Sequence, residues 1–144
     1  MTDGYEVYHS IGRERKDITF AGCWAHARRG FADVVKALGE KNAKNTVSYR
    51  ALAQIGSMYD LEKSWRSLPP ASRLEKRQSI IAPMVDAFFA YLKSERKNIS
   101  PKSGSGKAIS YCLDQEPYLR VFLTNGSVPM DNNCKRQALF YIVR

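Results

Sequence analysis

Cys23-Trp24-Ala25-His26 places a thiol and an imidazole three positions apart, and both side chains are good ligands for a soft or borderline metal ion. A structural zinc site needs four such ligands, usually two closely spaced pairs. The remaining candidates, His9, Cys112 and Cys134, are scattered singly along the chain. Cys23 as a nucleophile with His26 as base and Asp3 as acid is a second arrangement to weigh. A base three residues from its nucleophile on one helical turn seldom has the right approach, because such triads normally meet through the fold. The plain alternative is that Cys23 packs as a small hydrophobe and His26 makes a hydrogen bond at a helix start. Arg28 and Arg29, together with Arg13, Arg15 and Lys16, are candidates for phosphate contacts, which position a protein on DNA without reading its sequence. Their alternative is a solvated basic face.

These residues need elements to hold them. Tyr5 to Tyr8 alternates weakly and Ile18-Thr-Phe-Ala-Gly22 is β-prone, so strands are expected at about 5–9 and 17–22. From Trp24 the apolar residues Ala27, Phe31, Val34, Val35 and Leu38 follow helical spacing, and Gly39 supplies a C-cap. Residues 40–46 look like a polar turn. Leu52, Ile55, Met58, Tyr59 and Trp65 mark a second helix, which Pro69-Pro70 breaks. A third runs from about Ser72 to Lys97, with Pro83 expected to kink or restart it. Residues 99–106 read as a loop by composition, a fourth helix follows over 107–113, and Pro117 suits the first turn of a fifth. The tail from Asn132 is compatible with a helix. The expected fold class is therefore mainly α with a small β element, α+β.

A chain of 144 residues suits one domain that buries roughly two thirds of its unfolded surface. Its 44% hydrophobic and 26% charged residues are ordinary globular usage, which excludes a disordered or fibrous protein. No apolar run approaches the ~20 residues of a membrane span, and Met-Thr-Asp-Gly-Tyr lacks the features of a secretory signal, so a cytoplasmic location and no membrane partner are expected. The 3 cysteines have no paired spacing and read as free thiols. With 23 Lys+Arg against 14 Asp+Glu the net charge is +9, a balance that favours polyanionic partners such as DNA.

Taken in order, Asp3-Gly4-Tyr5 with Tyr8, then Cys23-Trp-Ala-His-Ala-Arg-Arg-Gly-Phe31, Ser100-Pro-Lys-Ser103, Ala108-Ile-Ser-Tyr111 and Asp131-Asn-Asn133 form a recognisable series. The series resembles the transposases of insertion sequence 66, over almost the whole chain from Asp3 to Asn133. That resemblance implies an incomplete RNase H-like core with a helical insertion. Residues 1–39 would be a remnant of the core, 40–125 the insertion and 126–144 a truncated C-terminal segment. It also implies DNA transposition through an Asp, Asp, Glu triad that holds divalent cations, Mg²⁺ being the natural ion for oxygen ligands. Asp3 matches the second acid and the expected Mg²⁺ ligand, with Cys23 and His26 as support for the site.

Two departures shape the expectation. The first acid should lie upstream of Asp3, where this sequence offers only Met1 and Thr2. The third should follow the Asp-Asn-Asn station by three positions, where Arg136 stands; from Asn132 to Arg144 there is no carboxylate, which leaves Asp131 as a weak substitute. The chain alone is thus expected to be inactive, to bind Mg²⁺ only if the site is completed, and to work with DNA, further copies of itself or other transposase chains. The competing readings are a non-catalytic DNA- or protein-binding module and a small metal-binding structural domain.

Overall fold

Residues 18–131 and 139–143 are described by a computed structural model of the chain. Strand β1 (Ile18–Gly22) leads through Cys23 into helix α1 (Trp24–Leu38), whose apolar residues Trp24, Ala27 and Phe31 face inward as their spacing requires. Gly39, at φ 82°, ends α1 in a conformation that strains any residue with a Cβ, and its N–H donates to Val35 O. The expected turn over 40–46 contains a single helical turn, α2 (Glu40–Ala43). Thr46 then caps α3 (Val47–Ser64) by accepting a hydrogen bond from Tyr49 N.

Helix α4 (Pro70–Lys76) opens on proline and continues through a π-helical turn, Arg77–Ile81, into α5 (Ala82–Arg96). The kink or restart expected at Pro83 lies instead just before that residue. There Ala82 N–H reaches back five residues to Arg77 O, and α5 begins with proline in its first turn. Helix α6 (Gly104–Asp114) starts three residues earlier than composition suggests. Gly-Ser-Gly reads as loop, yet Ser103 caps the helix by accepting from Gly106 N, and a Cβ on Gly106 would collide with Ser100 O. Glycine stands there because of a close backbone approach and not for flexibility. Beyond Pro117 the expected helix is divided into a short α7 (Glu116–Leu119) and a 3-10 turn (Val121–Leu123).

The tail holds the larger correction. Leu139–Val143 is not helical but forms strand β2, which pairs antiparallel with β1 in the register Ile18↔Val143 to Gly22↔Leu139. Its β-branched and aromatic residues suit a strand, and the partner lies more than a hundred residues away in sequence. The described fold is thus mainly helical with a two-stranded sheet. The strand expected at 5–9 falls outside the described residues. One hydrophobic cluster links Ala21 and Trp24 to Phe88, Phe89, Phe122 and Met130. No described helix is long and apolar enough to cross a membrane.

Candidate functional site

Trp24 is fully buried and anchors everything around it. Its indole N–H donates to Leu119 O at 2.8 Å, and its ring meets Phe88 at 5.6 Å, Phe89 at 6.1 Å and Phe122 at 6.1 Å in tilted or edge-on arrangements. Such pairs contribute about 0.5–1.5 kcal/mol each beyond the area they bury. The backbone N–H of Trp24 donates to Met130 O at 3.3 Å. That bond joins the start of the Cys-Trp-Ala-His segment to the residue preceding Asp131, so two stations more than a hundred residues apart in sequence meet at one end of α1.

Tyr59, on α3, completes the junction. Burial, and then the Asp131 carboxylate beside its hydroxyl, hold the Tyr59 phenol well above its ordinary value of 10.0; Cys23 adds to the rise and Arg28 opposes it. The Arg28 guanidinium lies 5.6 Å from the centre of the Tyr59 ring. Cys23, Arg28, Tyr59 and Asp131 are therefore one neighbourhood. An open cavity of about 360 Å³ beside it is lined by Tyr59, Asp60, Lys63, Arg66, Met130 and Asp131, among others.

His26 takes a different direction. Its ring packs tilted against Tyr111 of α6, with centroids 5.2 Å apart, on the flank of α1 that faces the Ser-Pro-Lys-Ser and Ala-Ile-Ser-Tyr segments. Here small residues permit close packing: a Cβ on Gly30 would come within 3.1 Å of the Ala108 Cβ. Arg29 and His26 line the groove between the two helices. The paired arginines thus diverge, Arg28 toward Tyr59 and Arg29 toward α6. Cys23 is fully buried, and Cys112, pushed by burial to about 12, is an unreactive thiol. Among the described residues no three His, Cys, Asp or Glu side chains gather as a metal site. Asp3, Arg13, Arg15, Lys16 and Arg136 lie outside the described residues.

The segment carrying Asp131 is fixed by a residue that sequence reasoning passed over. Arg77 is 1% exposed. Its Nε and Nη2 donate to both carboxylate oxygens of Glu62, at 2.9 and 2.7 Å, and its Nη1 donates to Phe122 O, Asn125 O and Val128 O at 2.8, 3.2 and 2.7 Å. Arg73 adds donations to Gly126 O at 2.8 Å and Leu68 O at 2.9 Å. Gly126 has no room for a side chain, because a Cβ would strike Pro70 O. The loop 122–128 is thereby held on the helix pair and delivers Met130 and Asp131 to α1. The signal available in the sequence was slight: an arginine followed by Ile80-Ile81, with no acid at helical spacing.

The sequence matches the family described as Transposase IS66 family over residues 1–140. It is 33% identical over 144 residues to the uncharacterized protein y4jD of Sinorhizobium fredii (strain NBRC 101917 / NGR234), a match covering 96% of this chain and 27% of that one. The uncharacterized protein y4qI of the same organism is 30% identical over 145 residues, covering 96% and 26% respectively. The chain thus spans about a quarter of the length of the curated relatives it matches. No solved structure matches it.

Proposed function

Given that the chain belongs to the IS66 transposase family, we propose that it serves DNA transposition as one portion of an Asp-Asp-Glu catalytic region and that, taken alone, it does not cleave DNA. The observation that carries this reading is the Trp24 N–H to Met130 O bond with Tyr59 beside it, which brings the start of the family's Cys-Trp-Ala-His station to Asp131, the first residue of its Asp-Asn-Asn station. Stations kept in order along the sequence and joined in space are what a shared site requires. In this reading β1 and β2 belong to an RNase H-like core, and residues 40–125 are a helical insertion that holds the Asp131 segment in position.

The family implies Mg²⁺, and the described residues do not fit that ion by themselves. Mg²⁺ needs several oxygen ligands, whereas Asp131 lies against Tyr59, with the Arg28 guanidinium close to the same ring. Asp3 is the carboxylate proposed to bind the ion once other acids complete the set. Cys23, at the head of α1, supports the site from the Tyr59 side, and His26 has its supporting role from the Tyr111 side, away from Asp131. Arg136, where the family's glutamate would stand, supplies positive charge instead of a ligand.

Incubation of the 144-residue chain with DNA in Mg²⁺ or Mn²⁺ tests the reading. Neither nicking nor joining of ends is expected, and Arg136→Glu alone leaves that outcome unchanged. The same chain joined to the flanking segments of a full-length relative, with Arg136→Glu, gains metal-dependent cleavage that Asp3→Ala abolishes. Cleavage by the unmodified chain that Asp3→Ala removes would overturn the claim of inactivity. Cleavage by the joined protein that survives Asp3→Ala would overturn the role of Asp3.

A further inference from the structure

Helix α6 is bordered by grooves on two of its faces. One, of about 510 Å³, separates it from α1 and is lined by Arg29 and Lys107 over Gly30, Val34 and Ala108. The other, of about 290 Å³, lies against the end of α5 and is lined by Arg96, Lys97 and Ser110 over Ile99 and Ile109. Lys102 is exposed on the tight Ser100–Ser103 turn that leads into the same helix. Asp33 is the only carboxylate among the residues lining either groove.

We propose that this double-grooved flank of α6 is a binding surface for the phosphate backbone of duplex DNA, separate from the Trp24–Asp131 junction. The proposal rests on the reading that the chain works on DNA, and it assigns the contact to the helical insertion.

The basic residues of the helical body divide by whether the fold already engages them. Arg77 is held by Glu62 and carbonyls, Arg120 by Glu116 and Asp86, and Lys93 by Glu116. Arg96, Lys97, Lys102 and Lys107 are exposed, and none of them forms an ion pair among the described residues. Lys36, Lys41 and Lys44 are likewise exposed and outside the ion pairs, so what distinguishes these four cations is their arrangement around one helix and its two grooves. Lysine heads on flexible stems suit phosphates, which are met as points of charge.

The test is fluorescence anisotropy of a short labelled duplex at low salt, followed by a salt titration. Reversal of Lys97, Lys102 and Lys107 to Glu is compared with reversal of Lys36, Lys41 and Lys44, a set of identical charge change on exposed positions of α1, α2 and the turn after it. The α6 set is expected to weaken binding by about tenfold or more relative to the control set, and to flatten the salt dependence by about 0.9 in log–log slope for each phosphate no longer neutralised. The corresponding Lys→Gln sets, which remove charge without adding repulsion, rank in the same order. Equal weakening by both sets would overturn the proposal, since net charge alone would then explain binding. An unaffected α6 variant of a chain that binds would also overturn it, while leaving the DNA reading intact. A wild-type chain that binds an acidic peptide but no duplex would overturn both.

Discussion

Arg77 and the cations around α6 are chemically alike and are used in opposite ways. The Arg77 guanidinium is buried, bidentate to Glu62, and donates to three carbonyls of the loop that leads to Asp131. The α6 cations stand in solvent beside grooves. A planar fork with five fixed donors can close a loop over itself, whereas an ammonium on a flexible stem cannot satisfy so many acceptors at fixed positions. The formal charge of +9 adds the two uses together. Only the fold separates the positive charge that builds the molecule from the positive charge left over for a partner.

The contrast breaks most easily at the clasp. Arg77→Ala strands the Glu62 carboxylate and takes the guanidinium donor from the Phe122, Asn125 and Val128 carbonyls, of which Asn125 O keeps the Val128 N–H, so a loss of about 3–5 kcal/mol of stability is expected. Arg77→Lys should recover little of it. Denaturant melts of the two variants check this, and a loss below about 1 kcal/mol for Arg77→Ala would show that the clasp is dispensable.

A smaller effect separates the interior from the flank by pH. The Tyr59 phenol is raised above its ordinary 10.0 and the Cys112 thiol from 9.0 to about 12. A group whose folded value is raised contributes stability in full below its unfolded value and loses it as pH climbs toward the folded one. Stability should therefore decline from about pH 9 upward, first through Cys112 and then through Tyr59. Cys112→Ala should blunt the onset. Asp131→Asn removes one cause of the Tyr59 rise and should lower that residue's midpoint in a tyrosinate absorbance titration. An unchanged midpoint would place Asp131 away from the phenol.

The smallest effect belongs to α6. Lys97→Gln, Lys102→Gln and Lys107→Gln, each made alone, should alter stability by no more than about 0.5 kcal/mol, as exposed sites without ion-pair partners do. Thermal melts that fell by several degrees would mean these lysines are structural after all.

What could be read from the sequence follows the range of each interaction. Trp24, Ala27 and Phe31 mark α1 because helical spacing is a local signal, and β1 appears because Ile18 to Phe20 are intrinsically β-prone. The start of α6 escaped because Gly104-Ser-Gly106 has the composition of a loop, while its cause, the approach of Ser100 O to Gly106, is tertiary. Strand β2 escaped for the same reason, its partner being remote in sequence. At the site, the residue types of Cys23, His26 and Asp131 were legible. Their distribution was not: Asp131 and Cys23 share the Tyr59 flank, and His26 faces Tyr111. Arg77 left only the slight signal of a neighbouring Ile80-Ile81, because an arginine in a helix is ordinarily a surface residue.

The antiparallel pairing of Gly22 with Leu139 means that the polypeptide leaves the sheet for its helices and re-enters it at neighbouring positions. In outline the described chain is a β-hairpin whose turn has been replaced by a helical body more than a hundred residues long. Such a body is a cassette with two fittings: a graft at that point must match the narrow gap between two paired strands and also the packing on β1, where Ala21 enters the core and Gly22 lies against Leu119. Away from that contact it can be lengthened or remodelled without disturbing the register of the two strands. The same doorway is its covalent coupling to that sheet, so a pull on the helices would load β1 and β2 together, at the ends where they pair.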